Sequence, residues 1–312
     1  MSQKLKYAKY FVVSTSAVVA VAGVVPFSAS AENVEINIKS TDDTKFSNKF
    51  ASLSVDSTAV TSTTGDTSEL TTEDTFTLSI IHTNDTHANI ANAPKRATII
   101  NNVREEKPNA LLLDAGDVFQ GTLYFTQYKG QADLELMNYM GYDAMTLGNH
   151  EFDLGKTAEG HQALVDFIKN ATFPILTANV NFSADNIFDG LYHEGIATTA
   201  DVANIYDGLI IEVEGEEIGI FGLTTETTAG SSSPEKVTFE NYIEEAEKAV
   251  QSLEDQGVDK IVALTHLGFN NPADSNDLLL AEEVEGIDII VGGHSHTTLT
   301  EAYVVDENAE GE

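Results

Sequence analysis

The sequence predicts an α/β fold, and two patterns carry that reading. From Phe76 onward, apolar β-branched runs alternate with helical segments. Two further runs, Leu209–Val213 and Glu217–Leu223, flank a short polar turn and read as a hairpin. Polar residues with metal-binding chemistry follow directly on several strand runs, and in open α/β sheets ligands bind beyond the carboxyl ends of the strands.

In chain order, the first element is a targeting segment. Lys4, Lys6 and Lys9 form a basic start, Phe11 to Val25 is apolar, and Pro26 breaks the run. Ala29-Ser30-Ala31 fits a small-x-small cleavage rule, so residues 1–31 are expected to leave as a signal peptide. An uncleaved anchor is the rival reading, but the run is short for a span and contains Ser14, Thr15 and Ser16. The expectation is a secreted protein, extracellular or associated with the cell wall, with no stable membrane insertion. Residues 32–75 are rich in Ser, Thr, Asp and Glu and read as a disordered spacer, since they offer too little apolar surface to offset ordering. The domain proper is expected over residues 76–312.

Strands are expected at Thr77–His82, Ala110–Leu113, Ala144–Leu147, Ile175–Ala178, Ile261–Leu264 and Ile287–Val291. Helices are expected at Pro94–Glu106 and at Ala132–Met140, the latter stopped by Gly141. Thr157–Lys169, Glu240–Gln256 with Thr238 as its cap, and Asn276–Val284 complete the set.

The chain has 50 acidic and 16 basic residues, a formal net charge of −34, and no cysteine. Nucleic acid and anionic membrane are excluded as partners by that field. Without thiolates, any metal must be held by nitrogen and oxygen. A site for an anionic substrate would also need local positive charge, which metal ions supply.

The strand ends carry that chemistry. They run into Asp85-Thr86-His87, Asp114-Ala115-Gly116-Asp117, Gly148-Asn149-His150-Glu151, Thr265-His266 and Gly292-Gly293-His294-Ser295-His296. Five of the eight histidines fall there. Each motif alone is ordinary turn chemistry. Together they supply donors suited to zinc, manganese, iron or cobalt, and two such ions ~3.5–4 Å apart clamp both oxygens of a phosphoryl transfer. From the residues alone, His150 is either a further ligand or a general acid.

The stretch from Leu78 through His82-Thr83-Asn84-Asp85-Thr86-His87 to Ile90 resembles the first signature of the 5'-nucleotidase family, and Tyr142 through Asn149-His150-Glu151-Phe152-Asp153 resembles its second. That family belongs to the calcineurin-like metallophosphoesterases, and the resemblance covers about Phe76 to Leu299. It implies a layered α/β/β/α fold with two packed mixed sheets. It implies two divalent metal ions, one held by Asp85, His87, Asp117 and His296, the other by Asp117, Asn149, His266 and His294. Asp117 would bridge them. Asn149 and His150 would bind the phosphate, with His150 stabilising charge or protonating the leaving group and Asp153 orienting it.

The implied activity is hydrolysis of nucleoside 5'-monophosphates by attack of a metal-bound hydroxide. Asp153 favours this over a 2',3'-cyclic-nucleotide phosphodiesterase with 3'-nucleotidase activity, whose relatives often have Asn there; a nucleotide-sugar hydrolase is a further alternative. A non-catalytic wall-associated module is the reading from another class, and the presence of all seven ligand residues argues against it. Relatives usually add a C-terminal nucleoside-binding domain, so this chain, ending at Glu312, is expected to be truncated. Thr300–Val305 would then be an exposed or unpartnered strand. Arg96 reads as a solvated helix residue, His82 as structural or supporting the ligands, and His161 and His193 as surface residues. Asn179 also ends a strand, with no role assigned.

Overall fold

The structure, a computed structural model, describes residues 76–270, 275–300 and 302–306, with the backbone of short strands at Tyr7–Val12, Ala20–Gly23, Asn37–Ile38 and Ala51–Ser52. The leader and spacer expected at 1–31 and 32–75 otherwise lie outside the described residues. Among those described, no helix is long and apolar enough to cross a membrane.

The expected alternation is present. Strands β1 (Ser79–Thr83), β2 (Leu111–Asp114), β3 (Ala144–Thr146) and β4 (Ile175–Leu176) are mutually parallel neighbours. Between them run α1 (Ala93–Glu106), α2 (Leu123–Tyr128), α3 (Gln131–Met140) and α4 (Gln162–Asn170). Strand β5 (Tyr192–Ala197) pairs with β6 (Ile205–Val213), which turns through Glu214 and Gly215, both at positive φ, into antiparallel β7 (Glu216–Thr224). Helices α5 (Thr228–Ser231) and α6 (Tyr242–Asp255) lead to β8 (Ile261–His266), and α7 (Asp277–Glu283) leads to β9 (Ile289–Gly292). Strands β7, β8 and β9 are again parallel neighbours.

The two packed sheets expected from the resemblance are halves of one hydrogen-bonded sheet. Alternation along each strand shows the layers. Leu111 and Leu113 of β2, Ile218 and Ile220 of β7, and Val262 and Leu264 of β8 join one apolar cluster to which, among the described residues, no helix contributes. Its core members are nonetheless almost fully buried, so the two halves of the sheet cover one another. The opposite faces pack against helices. Leu112 shares one apolar cluster with Ile100 of α1, Met137 of α3 and Phe167 of α4, whereas Ala263 and Ile290 share another with Leu253 of α6 and Leu280 of α7.

One detail positions the site. Strand β6 pairs with β4 only through Ile205 and Tyr206 before departing. On the return, β7 brings its carboxyl end against that of β4: Ala178 N donates to Gly222 O at 2.8 Å, and Asn179 Nδ2 to Thr224 O at 2.8 Å. Buried Asn179 thereby gains a structural role. The carboxyl ends of both halves meet at one place.

Several local expectations are corrected. α4 begins at Gln162 rather than Thr157, because a 3-10 turn at His150–Phe152 and further turns occupy the preceding residues. Asn241, not Thr238, caps α6, accepting from Ile243 N and Glu244 N. Strand Tyr303–Asp306, near the one expected at Thr300–Val305, pairs antiparallel with Tyr7–Val12, inside the expected leader. Arg96 is 2% exposed, and its guanidinium lies near buried Asp133 and Asp114 instead of in solvent.

Candidate metal centre and active site

The strand ends deliver the expected side chains to one cluster. Asp85 and His87 follow β1, Asp117 follows β2, Asn149 follows β3, His266 closes β8, and His294 and His296 follow β9. Three sets of donor atoms each lie within 4.8 Å of one another: Asp85, His87 and His296; Asp117, His266 and His294; and His87, Asp117 and His150. Asp117 and His87 each belong to two of them.

The backbone holds these residues in conformations that it would not choose alone. Asp85, His87, Asp117, His294 and His296 have φ of 49°, 44°, 60°, 78° and 51°, the left-handed region that disfavours side chains. Their surroundings impose it. Asp85 N donates to Gly116 O and His87 N to Asp117 O. Glu151, fully enclosed, accepts from Gly148 N at 2.7 Å, Asp117 N at 2.9 Å, Val118 N at 2.8 Å and Phe119 N at 3.0 Å. Gly148 is required for a different reason: a Cβ there would collide with the Asp117 carboxylate.

Two buried donor atoms of the cluster have no hydrogen-bond partner. His266 Nε2 lies 3.1 Å from Asp117 Oδ2, yet off the line a hydrogen bond needs. Asn149 Oδ1 is buried with no hydrogen-bond partner. His87 Nε2 and His296 Nε2 are 3.1 Å apart, a spacing that suits two imidazoles only if one carries a proton or both direct lone pairs at a cation. The buried atoms of His266 and Asn149 left open in this way, in a cluster made only of nitrogen and oxygen donors, fit divalent metal ions.

The electrostatics agree. Burial opposes charge on His266, but the neighbouring Asp117 and Asp85 carboxylates prevail and raise its pKa to about 10. Burial and the charge of His266 lower His294 to about 4. Burial alone would raise Asp117; the positive field of His266 and His150 holds it below the usual carboxylate range. Without cations, the cluster keeps a proton to offset its carboxylates.

The histidines divide by their second nitrogen. His266 Nδ1 lies 2.6 Å from Ala115 O and His87 Nδ1 lies 3.3 Å from Phe119 O, an arrangement that leaves Nε2 free to ligate. His150 Nδ1 instead meets a carboxylate, Asp153 Oδ2, at 2.7 Å. Burial disfavours its charged form, but Asp153 and Asp117 raise its pKa. Its main-chain N–H also donates to Asp117 Oδ1 at 2.9 Å, tying the imidazole segment to the shared carboxylate.

A family model for calcineurin-like phosphoesterases matches residues 78–298. The chain belongs to that family. Within it, the chain is similar to 5'-nucleotidases. The Bacillus subtilis (strain 168) protein named trifunctional nucleotide phosphoesterase protein YfkN is 45% identical over 244 residues, 73% of this chain and 16% of that protein. The 5'-nucleotidase of Diplobatis ommata is 38% identical over 240 residues, 72% of this chain and 38% of that protein. The solved 5'-nucleotidase precursor from Thermus thermophilus is 41% identical with a TM-score of 0.60, covering 70% of this chain and 42% of that one. The chain thus spans well under half the length of these relatives. As a calcineurin-like phosphoesterase, it falls among metal-dependent phosphoric-ester hydrolases.

Other histidines sort by burial. His82 is fully buried with both ring nitrogens unpartnered, and burial lowers its pKa to about 4, so it is a core residue. His193 is exposed, as expected. His161 is not a surface residue: it is 2% exposed, lies between Phe152 and Phe188, and places Nδ1 3.1 Å from Asp185 Oδ2. The residue that sequence reasoning passed over is Glu151. It stands inside the second signature, and a carboxylate beside Asn149 and His150 in an apolar strand-to-turn context was the available signal.

Proposed function

We propose that the protein is a secreted phosphomonoesterase acting on nucleoside 5'-monophosphates and releasing nucleoside and phosphate. The observation that carries this is the His150–Asp153 pair, which stands beside an Asp/His cluster able to hold two cations. Asp85, His87, Asp117 and His296 would hold one ion and Asp117, Asn149, His266 and His294 the other, with Asp117 shared. When bound, the ions supply the Lewis acidity that activates water and offsets phosphate charge. The chain's own part is placement and proton handling. Asn149 and His150 are consecutive at the start of one 3-10 turn and would bind the phosphate from there. His150, with Nδ1 held by Asp153, presents Nε2 to the oxygens where charge develops, or gives its proton to the departing alkoxide.

The nucleotide activities named for the similar proteins support the substrate class, and the leader at 1–31 supports export. Release of phosphate by the full chain, incubated with manganese or zinc, should be compared across 5'- and 3'-monophosphates, 2',3'-cyclic nucleotides and nucleotide sugars. Turnover fastest with 5'-monophosphates is expected. Two bound ions with no phosphate released from any of them would favour the non-catalytic module instead.

A further inference from the structure

We propose that Ser232 is a positioning residue that completes a three-part relay with Asp153 and His150. Ser232 Oγ donates to Asp153 Oδ1 at 2.8 Å, while the other oxygen, Oδ2, meets His150 Nδ1 at 2.7 Å. The two bonds use opposite sides of one carboxylate. His150 and Asp153 sit three residues apart across a 3-10 turn, a spacing that aligns their side chains but leaves the carboxylate free to rotate. Both are only half-buried, so packing alone does not fix them. Ser232 comes from 79 residues further along the chain and removes that freedom.

The segment bearing Ser232 is itself anchored to the metal cluster. Thr225 N donates to His266 O at 3.0 Å, and Thr224 Oγ1 donates to Leu147 O at 2.7 Å. Thr228 Oγ1 then closes onto Thr225 O at 2.6 Å, and Ser232 N onto Thr228 O at 3.1 Å. Beyond Ser232, the chain packs so closely on Gly155 that a Cβ there would strike Ser233 O. The path from β7 to Ser232 therefore links the strand end that carries His266 to the carboxylate that orients His150.

The inference rests on the reading of His150 as the group acting on phosphate, and its test separates the two. In the full chain, with zinc bound and without, the imidazole nitrogens of His150 are followed by nitrogen NMR while kcat, KM and metal content are measured with a nucleoside 5'-monophosphate. Ser232→Ala should shift both nitrogen signals and lower kcat about tenfold, leaving KM and metal content unchanged. Ser232→Cys, close in volume but a weak donor, should behave like Ala, and Ser232→Thr should restore wild-type behaviour. In an Asp153→Ala background, Ser232→Ala should cost less than about twofold, because the group it holds is gone. Unchanged nitrogen signals in Ser232→Ala, or the same tenfold loss without Asp153, would overturn the proposal. If the wild-type chain releases no phosphate, the proposed function fails, and the nitrogen signals still decide the role of Ser232.

Discussion

Glu151 and Asp117 are joined through main chain: one oxygen of the Glu151 carboxylate receives the N–H of Asp117 at 2.9 Å, and the same oxygen receives that of Gly148 at 2.7 Å. The other oxygen takes Val118 and Phe119. A single buried acid thereby shapes the loop that holds Asp117 at positive φ and aims its carboxylate at the cluster. The loop's geometry depends on an acceptor with two equivalent oxygens.

Glu151→Gln should therefore be costly although nearly isosteric. An amide presents one oxygen and turns an NH2 group toward two N–H donors, leaving them unpaired in a buried place. A loss of about 2–3 kcal/mol is expected, read as a lowered Tm, with weakened metal binding. A variant with wild-type Tm and metal content would show that water or loop relaxation replaces the carboxylate.

Much of this site was legible because its chemistry is concentrated. Donor residues directly after strand runs are rare enough that Asp85, Asp117, Asn149, His266 and His294 identify each other. What stayed hidden depends on tertiary contact. His161 has no sequence mark that separates a core histidine from a surface one; its burial comes from Phe152, Phe188 and Asp185, brought together by turns. Arg96 reads as solvated because a charged residue on a helix normally faces water, and the acids that enclose it come from β2 and α3, distant in sequence. The join between the sheet halves was equally invisible, since it turns on β6 leaving β4 after two residues.

Asp117 and His87 each belong to two of the three donor sets, but of the two only Asp117 stands in the set with His266 and His294. Asp117→Asn should lose most of both metals, whereas His87→Ala should chiefly weaken one. Elemental analysis after dialysis decides it; equal loss of a single ion from both variants would contradict a bridging carboxylate.

Metal binding should release a proton near neutral pH. His266 has its pKa raised to about 10 in the metal-free cluster, so at pH 7 it is protonated, and ligation requires it neutral. His294, lowered to about 4, is already neutral there and releases nothing. Affinity should rise with pH, by up to about tenfold per unit, and level off above about 10. Calorimetry in buffers of different ionisation enthalpy measures the proton directly, and a binding heat independent of buffer would refute its release.

The sharpest separation is between ligand and catalyst. His150 and His266 both offer one nitrogen toward Asp117, so proximity alone does not distinguish them. Their other nitrogens do. His266 Nδ1 lies 2.6 Å from the main-chain carbonyl of Ala115, a neutral acceptor that suits an imidazole ligating through Nε2. His150 faces a carboxylate and is half-buried, conditions that favour a histidine carrying a proton to a reacting oxygen. Removing one group that stabilises developing charge typically costs ~10²–10³-fold in turnover. His150→Ala should accordingly lose that much kcat while retaining both metals, and His266→Ala should lose metal together with activity. Restoring excess metal should recover part of the second loss and none of the first, because added cations can refill a weakened site but cannot replace a missing proton donor. Metal depletion in His150→Ala, or full turnover of a nucleoside monophosphate by it, would make His150 a ligand or a bystander.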